Sequence, residues 1–95
     1  MKASLLIDNE LVQASNGALS SRRNPVTGAV YTEFAAATPE DALAAVTSAA
    51  AAFLVWSKSS PGQRRDILLN AARLLKERAE PFMQTMVGET GASRP

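Results

Sequence analysis

The sequence predicts an α+β segment, with an N-terminal hairpin and short strands first and two to three helices after them. Three observations carry this. The first third is broken into short apolar runs by Asp, Asn and Gly turns. Residues 29–35 alternate like a strand. Two later stretches each open on a hydroxyl residue followed by proline and then run apolar at helical spacing.

In order, Leu5-Leu6-Ile7 and Leu11-Val12 flank Asp8-Asn9-Glu10, a hairpin pattern in which Asn9 best tolerates positive φ. Ser15-Asn16-Gly17 marks a second turn, and Leu19 to Arg23 a third short strand with little apolar content. Asn24-Pro25-Val26-Thr27-Gly28 is a turn by composition, with Pro25 fixing φ and Gly28 free to take positive φ. In the strand Ala29–Ala35, Val30, Thr32 and Phe34 should face one way and Tyr31 and Glu33 the other.

Thr38 is the expected N-cap of the first helix, with Pro39 at its first position and Glu40 and Asp41 suiting the positive end of its dipole. Leu43, Val46, Ala50, Phe53 and Leu54 form its apolar stripe, and its alanines allow close approach to a neighbour. Trp56 closes it, and Ser57-Lys58-Ser59 leads to the next helix, which should pack antiparallel to it. That second helix has the strongest signature. Ser60 and Gln63 make a capping box with Pro61 between them, and Ile67, Leu68, Ala71, Leu74 and Leu75 share a face. Pro81 predicts a break near Arg78 to Glu80. A short third helix should then carry Phe82, Met83, Met86 and Val87 and end at Gly88 or Gly91.

Ninety-five residues make one small domain at most. A net charge of +1 leaves no footprint for nucleic acid or an anionic membrane, and Arg22-Arg23 and Arg64-Arg65 read as surface pairs. The chain has neither cysteine nor histidine. It therefore holds no thiolate nucleophile, no disulfide and no imidazole base, so most catalytic constellations cannot be assembled from it. The N-terminus does not read as a signal peptide, and the alanine-rich run from Ala42 to Trp56 is too short to span a membrane. The expectation is a soluble cytoplasmic protein.

Individual chemical candidates have plain structural readings. Gly88-Glu89-Thr90-Gly91 lacks both nucleotide-loop patterns and reads as a helix end. Lys58 beside Trp56 is a snorkelling surface lysine. Glu33 with Asp8 or Glu10 reads as solvated strand ends rather than a carboxylate pair, and Phe82, Met83 and Met86 as core filling. Few strands have anything to bury against, and Ser93-Arg94-Pro95 reads as a cut in a longer chain.

Five stretches in register resemble the aldehyde dehydrogenase superfamily. Ile7-Asp8-Asn9-Glu10-Leu11-Val12 resembles its opening hairpin, commonly Ile-Asn-Gly-Glu-Trp-Val. Asn24-Pro25-Val26-Thr27-Gly28-Ala29-Val30 is similar to its Asn-Pro-x-Thr-Gly-x-Val segment. Ala49-Ala50-Ala51-Ala52-Phe53 with Trp56, then Ser60-Pro61-Gly62-Gln63-Arg64 with Ile67-Leu68, resemble its next two helices, and Glu89-Thr90-Gly91 matches its Glu-Thr-Gly. Where the family usually has Lys-Pro, this chain has Ala92-Ser93-Arg94-Pro95; the Gly-Ala-Ser ending resembles the branch that oxidises aromatic aldehydes such as salicylaldehyde and vanillin.

The resemblance implies that residues 1–95 are the N-terminal portion of an α/β aldehyde dehydrogenase, inert alone. The catalytic cysteine and the Rossmann-type domain for NAD or NADP would lie beyond them. The chemistry implied is thiolate attack on the aldehyde through a thiohemiacetal, hydride transfer to NAD(P) and thioester hydrolysis. The implied partners are the remainder of that fold and further copies in a homodimer or homotetramer, with no nucleic acid and no membrane. The resemblance also implies a structural Na+ or K+ between the backbone carbonyls of Arg22 and Arg23 and the carboxylate of Glu89. By itself Glu89 reads equally as a surface carboxylate at a helix end. The alternative to an enzyme segment is a free-standing interaction module that docks the Ile67/Leu68/Leu74/Leu75 face on a partner.

Overall fold

The computed structural model describes residues 1–94; Pro95, the last residue of the Ala-Ser-Arg-Pro ending, lies outside them. The chain runs β1 (Lys2–Ala3), β2 (Leu5–Ile7), β3 (Glu10–Val12), β4 (Leu19–Arg23), β5 (Val30–Ala35), α1 (Pro39–Trp56), α2 (Pro61–Glu77) and α3 (Ala79–Thr90). Strands precede helices, as the turn and periodicity pattern predicts.

β2 and β3 form the expected hairpin, with Leu5 opposite Val12 and Ile7 opposite Glu10. Both turn residues, Asp8 and Asn9, have positive φ, at 53° and 60°. A two-residue hairpin whose twist matches its strands needs this at both positions, and apart from glycine only short polar residues such as Asp and Asn adopt it readily. The other sheet has the order β1-β5-β4. β4 lies antiparallel to β5, and the two-residue β1 lies parallel to it on the other side. Sequence reasoning missed β1, because Lys2–Ala3 is too short to show a period. The N-terminal ammonium secures it by donating to the Tyr31 carbonyl at 3.1 Å.

The turn between β4 and β5 is a side-chain-capped loop. Asn24 Oδ1 accepts from the amides of Val26 and Thr27 at 2.8 and 3.2 Å, while Gly28 takes φ 75° and returns its amide to the Asn24 carbonyl.

The predicted alternation along β5 fails at one residue. Thr32 pairs with Arg22 and Val30 with Arg23, so Tyr31 has no partner and forms a β-bulge. Tyr31 and Thr32 consequently both reach α3, where strict alternation would have sent them to opposite faces. The tyrosine hydroxyl donates to the Gln84 carbonyl at 3.2 Å, and the threonine hydroxyl donates to Glu89 Oε1 at 3.2 Å.

α1 and α2 begin as the sequence predicts. Thr38 Oγ1 accepts from the Asp41 amide and Asp41 Oδ2 from the Thr38 amide. Ser60 and Gln63 do the same at α2. α2 stops at Glu77 and α3 starts at Ala79, which places Pro81 in the first turn of a new helix, where its missing N–H costs nothing. Gly91 ends α3 in the left-handed conformation; Gly88, the other candidate, lies inside the helix.

Two packing expectations are corrected. α1 and α2 do not pack side by side, and neither buries a residue. The tight Ser57–Ser59 link, with Ser59 Oγ donating to the Trp56 carbonyl at 2.5 Å, sets them as a corner. Phe82 and Met86 are likewise exposed rather than core; only Met83 of that set is half-buried.

The molecule measures 47 × 38 × 15 Å, one layer of elements thick. Its radius of gyration is 16.8 Å, against about 12 Å for a compact chain of this length. Among the described residues the buried ones are Ala14 after the hairpin, Thr32 and Ala35 of β5, and Gly88 of α3. Among the described residues no helix is long and apolar enough to cross a membrane.

Candidate functional site

Two stretches far apart in sequence converge where β5 meets α3. One is the Asn24–Gly28 turn with the start of β5; the other is the end of α3, Gly88 to Gly91. Gly88 is buried beneath the Tyr31 ring, and a methyl group added there would overlap the ring atoms. One residue on, Glu89 accepts from Thr32, which is 2% exposed. Two residues further, Gly91, at φ 71°, lies against Val26 and Pro25. The bulge at Tyr31 makes the convergence possible, since it turns two successive β5 side chains to the same helix.

Of the expected cation-site residues, Arg22 stands opposite Thr32 in the ladder, and Thr32 holds Glu89. Arg23 directs its guanidinium back to the Gly28 carbonyl at 2.9 Å. Glu89 is therefore half-buried and engaged, not a free surface carboxylate. Among the described residues no group of three His, Cys, Asp or Glu side chains gathers as metal ligands. A monovalent ion here would rest on main-chain oxygens with Glu89 as its charged ligand.

The remaining candidates stay apart. Glu33 is exposed opposite Lys2 and Ser21 in one sheet, while Asp8 and Glu10 sit in the separate hairpin, so no carboxylate pair forms. Lys58 is exposed in the link. Gly88 to Gly91 closes a helix, as expected.

One polar cluster escaped sequence reasoning. Asp41 Oδ2 also accepts from the Ser15 amide at 3.1 Å, and Ser15 Oγ shares a hydrogen bond with Thr38 Oγ1 at 2.8 Å. The cap of α1 thus clamps the chain as it leaves the hairpin. The Thr-x-x-Asp spacing signals the cap, but nothing local signals Ser15. Backbone amides from Thr38 and then Ser15 hold the Asp41 carboxyl below the usual aspartate range. A depressed native value favours the folded state above the unfolded pKa, and that contribution disappears as pH falls through the native one. Helix content should therefore drop on acidification below about pH 4. Asp41→Asn should weaken the dependence, read by far-ultraviolet circular dichroism. Part should persist, because Arg94 holds the Glu80 carboxyl low through a 2.6 Å contact of the same sign.

The layout overlays closely on a solved enzyme. The crystal structure of a salicylaldehyde dehydrogenase from Pseudomonas putida G7, complexed with salicylaldehyde, matches 98% of this chain with a TM-score of 0.93 at 36% identity. The structure is therefore an α+β piece of the aldehyde dehydrogenase fold. Residues 12–95 match the family model of the aldehyde dehydrogenase family, and the chain belongs to that family. A vanillin dehydrogenase of Pseudomonas fluorescens is 47% identical over 88 residues, 93% of this chain and 18% of that protein. "Aldehyde dehydrogenase [NAD(P)+] 1" of Saccharomyces cerevisiae is 43% identical over 74 residues, 77% of this chain and 15% of that protein. The match to the solved enzyme takes in 19% of its chain, so these residues span about a fifth of the relatives they resemble.

Proposed function

We propose that residues 1–95 are the N-terminal portion of an NAD(P)-dependent aldehyde dehydrogenase that oxidises an aromatic aldehyde to its acid. The observation that carries this is the pair of relatives, a vanillin and a salicylaldehyde dehydrogenase, that align over nearly all of the chain. The Gly91-Ala92-Ser93 ending supports the same branch.

The residues present do not fit a dinucleotide. Gly88 to Gly91 is the C-terminal end of α3, closed on Tyr31, Pro25 and Val26, and it leaves no open cradle of amides. The reading thus assigns NAD or NADP, and the cysteine that forms the thiohemiacetal, to polypeptide outside these residues. This segment contributes scaffold: a hairpin, a small sheet and three helices. The family resemblance supports a cytoplasmic homodimer or homotetramer as the working form.

The test is a graft. Residues 1–95 replace the matching fifth of the Pseudomonas putida salicylaldehyde dehydrogenase. Oxidation of salicylaldehyde with NAD(P) within about tenfold of the parent is expected, since the fold match leaves the reacting groups in place. A soluble graft without activity would overturn the reading and favour the interaction module, for which the uncovered faces of α1 and α2 are the observation.

The Na+ or K+ between the Arg22 and Arg23 carbonyls and Glu89 belongs to the same proposal; the Thr32–Glu89 contact supports it by drawing the carboxylate to β4 and β5. The thermal midpoint of the active graft should be higher in sodium or potassium than in choline buffer, and Glu89→Gln should abolish the difference. Equal midpoints in all three buffers before substitution would leave Glu89 a structural acceptor only.

A further inference from the structure

An asparagine side chain is thermolabile where the next backbone amide can attack it. The chain has four asparagines, and three are poorly placed for this. Asn24 precedes Pro25, which has no N–H. Asn70 precedes Ala71 inside α2, where the helix fixes the backbone. Asn9 precedes Glu10, the first residue of β3, whose side chain crowds the attack. Asn16 precedes Gly17, which has no side chain and the most permissive backbone. Both residues are exposed, and nothing stands within 4 Å of where a Gly17 side chain would be.

The fold prepares one half of this pair and restrains the other. Asn16 Oδ1 accepts from the Ala18 amide at 2.9 Å, an Asx turn that folds the side chain back over the Gly17 peptide. A donor on that oxygen draws charge from Cγ and favours the oxyanion that attack would form. The Gly17 amide, which is the nucleophile, donates instead to the Ala14 carbonyl at 2.8 Å. Ala14 is 5% exposed, so water is poorly placed to replace that donor. Between them, Ser15 is held to the cap of α1 by its amide on Asp41 Oδ2 and its hydroxyl on Thr38 Oγ1. Gly17 is released only when this stretch loosens.

We propose that Asn16-Gly17 is a self-modifying site, at which Asn16 converts to aspartate and isoaspartate through a succinimide, and that the Ala14–Gly17 turn, latched to α1 through Ser15, holds the reaction back in the folded protein. The Gly17 nitrogen bonds to Asn16 Cγ, the Cγ–Nδ2 bond breaks, and the amine leaves as ammonia with the proton that Gly17 gave up. Water then opens the ring, with no oxidation or reduction. Cleavage at Cγ leaves aspartate. Cleavage at the main-chain carbonyl leaves isoaspartate, whose backbone is one atom longer. In the succinimide the Gly17 nitrogen carries no hydrogen, so the Ala14 carbonyl loses its donor. In isoaspartate the added atom spoils the closure of the turn. Each product of this kind loosens the joint between the hairpin and β4. The site belongs to this chain's own residues and does not rest on the family reading.

A folded graft tests this whether or not it is active. Conversion is followed in native buffer and in guanidinium chloride on the tryptic peptide 3–22, which carries both Asn9 and Asn16; fragment masses place the change. In denaturant Asn16 should convert and Asn9 should lag well behind. In native buffer conversion of Asn16 should be at least about tenfold slower, since it waits on local opening. Asp41→Ala should raise the native rate about threefold or more by freeing Ser15, with no change in denaturant. Ser60→Ala, a cap loss of the same kind at α2, should leave both rates alone. If Asp41→Ala does not fold, Ser15→Ala decides, with the same expected rise. Equal rates in native buffer and denaturant would overturn the latch, as would equal acceleration by Ser60→Ala and Asp41→Ala. Conversion of Asn9 as fast as Asn16 in denaturant would overturn the site itself.

Discussion

Replacing Gly88 with alanine is expected to detach α3 from β5. Gly88 is the buried residue of α3, and the added methyl would occupy the volume of the Tyr31 ring. In an exposed helix the same change would be favourable by roughly 0.5–1 kcal/mol. Here overlap outweighs that gain, because the ring cannot step aside cheaply. Its hydroxyl is bound to the Gln84 carbonyl one turn earlier in the same helix, and its backbone is the bulge of β5. Overpacking of this kind costs about 1–3 kcal/mol, and the site falls at the upper end since the contact removed is the main one joining sheet and helix. Measured as the thermal midpoint of the grafted enzyme, Gly88→Ala should lower it by several degrees. Tyr31→Ala should also lower it. The double variant should be less damaged than the sum of the two, since removing the ring makes room for the methyl. Strict additivity would show that ring and glycine do not share one space.

Gly91→Ala should have the second largest effect, for a different reason. Gly91 has φ 71°, a conformation that costs an L side chain about 1–2 kcal/mol. Its Cβ would also lie 2.9 Å from Val26 Cγ2 and 3.1 Å from Pro25 Cγ. The backbone cost cannot be relieved by moving a neighbour, but the side-chain cost can. Val26→Ala should therefore restore only part of the stability lost in Gly91→Ala, and Gly91→Asn should be milder than Gly91→Val, because asparagine tolerates the left-handed region. Full rescue by Val26→Ala would show that the contact, not the backbone, governs this helix end.

Much of the architecture was legible because its signals are local. Thr38-Pro39 and Ser60-Pro61 mark helix starts through hydrogen bonds that span three residues. Asp8-Asn9 marks a hairpin through backbone sterics alone. Pro81 marks a break because its ring excludes the preceding turn. The motif series named the family for a related reason: Asn24-Pro25, Gly28 and Glu89-Thr90-Gly91 are turn and cap residues, held to one identity by a local conformation. The candidate site was legible only in part. Glu89 was singled out, but its partner Thr32 was read as an ordinary strand residue, and the Asp41–Ser15 clamp was not anticipated.

By itself, then, the sequence determined where each helix begins and where the turns fall, which family the chain belongs to, and that no thiolate or imidazole chemistry can reside in these residues. Only the tertiary structure decided what faces what. The bulge at Tyr31 depends on ladder register against β4, which no period along β5 records, and it reverses the predicted face of Tyr31. The sequence left the helix end at Gly88 or Gly91; in the structure Gly91 takes the left-handed conformation and Gly88 lies inside the helix against Tyr31. α1 turns Ala45, Ser48, Ala49 and Ala52 toward the hairpin and leaves the larger stripe exposed, where amphipathic periodicity favours the stripe as the packing face. Each depends on contacts between residues ten to sixty positions apart, and such contacts are set by the space two elements share rather than by the pattern along either one.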